Sequence, residues 1–210
     1  FSSLGTNLVI VLPGRTETAG VGPGLMSGQT PREISLDDAQ AILRSRSVKR
    51  IAPLTIGSAL LSREALNREV VVLGSTSDLL PVRHMEMGMG KFLPAGGIHE
   101  SASVCVLGKQ IKNELFGNDV AVGQWVRLGD RRFRVIGILS SQGESMGMRT
   151  DELVIIPVAS AHQLFNTSGL FRILVEAKSR GAVESAKRDA EEIMVLRHNG
   201  ERDVTVITQD

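Results

Sequence analysis

Between Ser103 and Leu139 the spacing of apolar positions changes from continuous to fourfold to alternating, and each change predicts an element. Ser103-Val104-Cys105-Val106-Leu107 is short, unbroken and rich in β-branched residues, the pattern of a buried strand. From Lys109 to Phe116, Ile111 and Leu115 lie four apart beside Phe116, which predicts a two-turn helix stopped by Gly117-Asn118. Gln124 to Leu128 and Arg131 to Ile136 then flank Gly129-Asp130, a glycine-first turn suited to the twist of paired strands. Arg132 and Arg134 alternate with Phe133 and Val135, so one face of this hairpin is wet.

The same reading extends to both ends. Asn7 to Leu12 is a continuous apolar strand closed by Pro13-Gly14, and Arg15 to Arg32 has the Gly, Pro, Ser and Thr content of a long loop. Ser35 caps a helix with Asp37 and Asp38 in its first turn, Leu36, Ala39, Ile42 and Leu43 on its apolar stripe, and Arg44 and Arg46 at its end. Strands are expected over Val48 to Leu54, Ile56 to Ser62 and Glu69 to Leu73, with Asn67 near the last turn. Met85 to Phe92 has no helical period and reads as a loop-like insert, as does the polar stretch from Ser140 to Arg149. Leu153 to Ile156, Phe171 to Ala177 and Asp203 to Thr208 read as strands, separated by helices over Ala159 to Phe165 and Ala182 to Arg197, the second ended by Asn199-Gly200. Both ends thus read strand, helix, strand. The expectation is an α+β fold: a split βαβ body from residues 1–75 and 150–210, and an inserted, smaller β-rich lobe with one short helix at 76–149.

Composition narrows the picture. With 3% aromatic residues and no tyrosine the core is aliphatic, and 24 basic against 23 acidic side chains, interleaved along the chain, leave no electrostatic footprint for nucleic acid. The single cysteine, Cys105, excludes an intrachain disulfide, and no apolar run within these residues reaches the ~18 needed to span a bilayer. The chain opens at Phe1 without a methionine or a signal-peptide pattern, so it is expected to be a segment of a longer protein.

Gly143-Glu144-Ser145-Met146-Gly147 matches the pattern of a serine-hydrolase nucleophile, and Asp151 and His162 or His198 follow in a workable order. That chemistry needs a sharp turn from strand into helix after the serine, whereas more loop and the strand at Leu153 are expected here; a stand-alone binding or enzymatic module is therefore the alternative reading. The glycines between Gly20 and Gly24 are not followed by the Gly-Lys-Ser/Thr of a phosphate loop. Met85, Met87 and Met89 alternate after His84, placing three thioethers on one face of an extended segment, a soft donor set for Cu(I), although an adaptable apolar contact or core-filling role is the favoured reading. The other histidines are scattered, and no catalytic residue, metal site or cofactor is expected. Met85, Met87, Met89, Phe92, Arg132, Arg134, Met146 and Met148 are the candidate contact residues for a partner or cargo, with the three alternating methionines expected to be partly exposed.

A family resemblance runs along the chain in order: Gly5-Thr6-Asn7-Leu8, Pro13-Gly14, Leu36-Asp37-Asp38-Ala39, Val104 to Gly108, Leu115-Phe116-Gly117, Val122-Gly123-Gln124, Phe133 to Gly137, Ile156-Pro157 and Leu196-Arg197-His198. The set resembles the extracytoplasmic core domain of MacB-type ABC transporter permeases. That resemblance implies a porter-like body and a Sabre-like lobe placed between the first and second transmembrane helices of a cytoplasmic-membrane permease, on its periplasmic or extracellular side. It further implies a homodimer with a second permease copy, a cytoplasmic ATPase domain or subunit that holds the ATPase motifs, and a periplasmic adaptor. The implied role is mechanotransmission: ATP-driven closure in the cytoplasm becomes movement outside the membrane that exports or extracts a substrate.

Overall fold

A computed structural model describes residues 7–14, 33–141, 144–145 and 148–209. The chain divides into two compact units, Phe1–Ile51 with Gly169–Asp210, and Ala52–Ser168. The loop expected from Arg15 to Arg32 lies outside the described residues.

In the first unit, β12 (Val204–Gln209), β1 (Leu8–Pro13), β11 (Arg172–Ala177) and the first residues of β2 (Val48–Arg63) lie in that order. β11 and β12 are both antiparallel to β1, so they run parallel to each other with β1 between them. This is the split βαβ arrangement that the sequence predicts, with α5 (Val183–Arg197) as the crossover. α1 (Leu36–Leu43) packs against α5. Ser35 caps α1 as expected, and its backbone N–H donates to the Asp38 carboxylate to complete a capping box, but the helix stops at Leu43; Arg44 is its C-cap and Arg46 lies beyond it.

In the second unit, β2 pairs antiparallel with β3 (Leu66–Ser75), which runs parallel to β10 (Leu153–Pro157). β10 pairs with β5 (Val104–Leu107), β5 with β7 (Arg131–Leu139), β7 with β6 (Trp125–Leu128), and β6 returns to β2 at Leu61 and Ser62. The six strands therefore close on themselves. Alternate side chains turn inward, among them Leu61, Val72, Cys105, Val126, Phe133 and Val135, all buried. α3 (Lys109–Phe116) adds Ile111, Leu115 and Phe116 to this core. The guanidinium of Arg63 donates to the Leu115 carbonyl at 2.9 Å and stacks 4.2 Å from the Phe116 ring, a cation placed where the helix dipole is negative. Burial pushes the Cys105 thiol far up, so it behaves as a small core hydrophobe.

Three expectations change. Val48–Arg63 is one sixteen-residue strand rather than two. Pro53 lies inside it, just before the ladder to β3 opens at Thr55, where its missing N–H is not required by that pairing. Met87–Gly90 is a strand, β4, on the edge of β7 that β6 vacates, and a short helix, α2 (Leu79–Val82), precedes it. Gly88 and Gly90 hid this strand, yet the pairing requires Gly90 to be small: a Cβ there would lie 2.9 Å from the Cα of Gly137. The division at 75/76 and 149/150 also differs from the observed one, because β3 and β10 pair within the closed ring and take α4 (Val158–Phe165) with them. The inner unit consequently holds α2, α3 and α4 and is the longer of the two. Among the described residues no helix is long and apolar enough to cross a membrane.

Candidate functional site

The first unit contains a buried ionic cluster at the end of its longest helix. α5 ends at Arg197 with His198 as its cap, and Asn199 and Gly200, both at positive φ, turn the chain toward Asp203 and β12. Nε of Arg197 donates to Oδ1 of Asp38 at 2.6 Å. The His198 ring lies between two carboxylates, Nε2 at 3.0 Å from Oδ2 of Asp38 and Nδ1 at 2.6 Å from Oδ1 of Asp203. Asp38 Oδ2 also accepts the backbone N–H of Ser35 at 2.9 Å. Side chains of Asp38 and His198 are only 4% exposed.

The chemistry follows from the valences. An ionised carboxylate only accepts hydrogen bonds, so a ring with a carboxylate on each nitrogen must donate from both, and only the imidazolium does that. Burial pushes His198 down, but the bonds to Asp38 and Asp203 and their charges outweigh it and raise its pKa above the usual value. For Asp38 burial acts upward, and the bonds from Ser35, His198 and Arg197 overcome it, holding the carboxyl below the ordinary range. Two carboxylates, one guanidinium and one imidazolium balance, and their geometry ties α1, α5 and the start of β12 together. Further ties join the same region: Ser45 Oγ donates to Asp189 on α5 at 2.6 Å, Gly14 N–H donates to the Asp203 carbonyl at 2.8 Å, and Thr205 Oγ1 donates to the Gly14 carbonyl at 2.7 Å.

Sequence reasoning missed this cluster. It assigned Asp38 to the helix dipole and set His198 aside, although Ser35 three residues before Asp38 was already a capping pattern.

The expected contact residues fall in the second unit and do not form one surface. Met85 is 8% exposed and Phe92 is also buried, which corrects the expectation of three exposed methionines. Met87 is register partner to Leu139 and Met89 to Ile138, with a bulge between them. Adjacent partners on β7 point to opposite faces, so the bulge turns Met87 and Met89 to opposite faces as well. Met87 packs toward Gly137, whereas Met89 is 58% exposed. This separation removes the shared thioether face on which a Cu(I) site depends. Arg132 and Arg134 are exposed as expected, Arg132 lying 4.7 Å over the half-exposed Trp125 ring and Arg134 donating to the Gly123 carbonyl at 3.2 Å. Met146 and the side chain of Met148 lie outside the described residues.

Ser145 sits in β8 (Glu144–Ser145) and pairs with Met148 of β9 (Met148–Arg149), so a strand rather than a helix follows it. Asp151 bonds Ser141 at 2.8 Å, and His198 is committed to its two carboxylates. The nucleophile-elbow geometry is therefore not what these residues form.

Charged groups that face one another, and an inner barrel filled by its own side chains, describe a domain built to hold shape. The model of the MacB-like periplasmic core domain matches residues 1–193, and the chain belongs to that family, an extracytoplasmic domain of ABC transporter permeases on the outer side of the cytoplasmic membrane. It is 26% identical over 199 residues to the macrolide export ATP-binding/permease protein MacB of Bdellovibrio bacteriovorus, covering 94% of this chain and 30% of that protein. It is 25% identical over 186 residues to the pyoverdine export ATP-binding/permease protein PvdT of Pseudomonas aeruginosa, covering 85% and 28%. The chain thus spans less than a third of these curated relatives. The fold matches the periplasmic region of MacB from Actinobacillus actinomycetemcomitans with a TM-score of 0.79 at 19% identity, covering 97% of this chain and 89% of the other. It matches the extracellular domain of the transporter YknZ from Gram-positive bacteria with a TM-score of 0.77 at 15% identity, covering 96% and 100%.

Two outcomes follow from this geometry. Replacing His198 by Gln removes the imidazolium between Asp38 and Asp203, leaving Arg197 as the cluster's one cation, and lowers stability by about 3 kcal/mol near pH 6. His198 has a raised folded pKa, so its contribution is complete below about pH 6.5 and is lost as pH rises through the folded value. Asp38, with a lowered pKa, contributes above about pH 4 and loses that contribution as pH falls. Thermal unfolding across pH should therefore show a gap between wild type and His198→Gln that narrows steadily above about pH 6.5. In the second unit, Met85→Ser should cost about 2–5 kcal/mol while Met89→Ser leaves the melting temperature nearly unchanged; equal effects at the two positions would contradict the assignment of faces.

Proposed function

We propose that the chain is the extracytoplasmic part of an ABC exporter permease and that it transmits movement between the membrane and the outside. One observation carries the reading: the first and last strands are hydrogen-bonded neighbours, in register from Leu8 opposite Gln209 to Pro13 opposite Val204. Segments attached at the two ends therefore pull on one antiparallel ribbon, and a force on either strand is shared by the other through the ladder. The Asp38, Arg197, His198 and Asp203 cluster passes that force on to α1 and α5. In this reading the ribbon joins two transmembrane helices, a second permease copy completes a homodimer, and a cytoplasmic ATPase supplies the energy. The MacB and PvdT relatives, named as ATP-binding/permease proteins, support that assembly.

An adaptor or cargo would meet the second unit at the surface that stays exposed, with Met89 and the Arg132 side chain over Trp125 as the accessible members of the expected set. The mechanism is tested in the full-length permease with its ATPase by inserting a flexible Gly/Ser linker directly after Gln209. The domain still folds, ATP hydrolysis continues and export collapses if motion passes through the β12 connection. Undiminished export with the linker in place would refute mechanical transmission through this strand.

A further inference from the structure

The inner unit carries a polar concavity at the carboxyl ends of β3 and β10. These strands are parallel, and their last residues, Ser75 and Pro157, are register partners. Pro157 opens α4, an eight-residue helix with no side-chain cap at its N-terminus. Its own hydroxyl is engaged elsewhere, since Ser160 bonds the Ala102 N–H at 2.9 Å and the Ala102 carbonyl at 2.8 Å. α4 reaches the strand ends because Gly74 has no side chain: a Cβ there would lie 2.5 Å from Cβ of Ala161 and 3.2 Å from Cα of Val158. A helix N-terminus at the carboxyl ends of parallel strands is a place where backbone N–H groups and the helix dipole favour negative charge.

A cavity of about 140 Å³ lies at this point, bordered by Ser75, Pro157 and Val158 on one side and by Gly96, Gly97 and Glu100 on another. Ser75 is 1% exposed, and its hydroxyl has no hydrogen-bond partner within the described protein. A buried hydroxyl is ordinarily paired, and this unpaired one belongs to a residue that borders the cavity. Glu100 brings the opposite charge. Its carboxylate lies against the two glycines, 2.8 Å from where a Cβ of Gly96 would stand and 3.2 Å from that of Gly97. The space thus has a positive pole at α4 and a negative one at Glu100, and it is smaller than the ~300 Å³ of a drug-sized pocket.

We propose that this cavity binds a small zwitterion of the α-amino acid class, its carboxylate at the N-terminus of α4 and the Ser75 hydroxyl, its ammonium at Glu100. The side chain it tolerates is small, that of glycine or alanine. Backbone-amide NMR of the 210-residue chain, titrated separately with glycine and with acetate, tests the assignment. Saturable shifts at Val158 and Ala159 with glycine, and weaker ones with acetate, are expected. Ser75→Ala should weaken glycine binding about tenfold without lowering the melting temperature, and Glu100→Gln should abolish the preference for glycine over acetate. Absence of saturable shifts with glycine, equal affinity for acetate in the wild type, unchanged glycine affinity in Ser75→Ala, or a preference for glycine that survives Glu100→Gln would overturn the proposal.

Discussion

Asp38 is a carboxylate inside the first unit, and it keeps its charge because three hydrogen bonds, two of them from cationic side chains, converge on it. Ser35 reaches it from the turn before α1, Arg197 and His198 from the end of α5, and His198 in turn holds Asp203 at the entrance to β12. Removing a charge from water is costly, and the arrangement is sustained only while both nitrogens of His198 donate. The consequence is geometric. The start of β12 is fixed relative to α1 before the strand pairs with β1, and Gly14 and Thr205 repeat the attachment from the side of β1. An apolar contact of similar size would have stabilised the packing without specifying this register or responding to pH.

The two units meet the burial problem differently. In the first, β11, α5 and β12 straddle β1, so the chain's entry and exit strands become neighbours and one helix layer covers the sheet. In the second, six strands close on themselves, which leaves few open edges and an interior filled by aliphatic side chains and α3. A closed ring resists deformation, whereas strands tied at one end by a polar cluster carry a directional load. That contrast is what the proposed transmission of movement would draw on.

Elements governed by local chemistry were legible in the sequence. α3 runs from Lys109 to Phe116 as its spacing predicts, the Gly129-Asp130 hairpin pairs Leu128 with Arg131, and Asn199-Gly200 ends α5. What the sequence concealed depends on partners distant along the chain. Val48 to Leu54 and Ile56 to Ser62 read as two strands until β2 is seen to run on as it takes up β3 from Thr55, and Gly88 and Gly90 look like a loop until β7 is laid beside them. Alternation at Met85, Met87 and Met89 implied one face, but a bulge is set by pairing and not by periodicity. Asp38 and His198 stand 160 positions apart, and neither carries a local sign that it faces the other. The family's landmarks did bracket both residues, in Leu36 to Ala39 and Leu196 to His198, without indicating why.

The central claim is that His198 is a buried cation bridging Asp38 and Asp203. Nitrogen-15 NMR of the imidazole reports it directly, because a protonated ring nitrogen and a bare one resonate far apart. At pH 7, above the ordinary histidine pKa of about 6.5, both nitrogens of His198 should appear protonated. A neutral His198 ring at pH 7, with one bare nitrogen, would contradict the account.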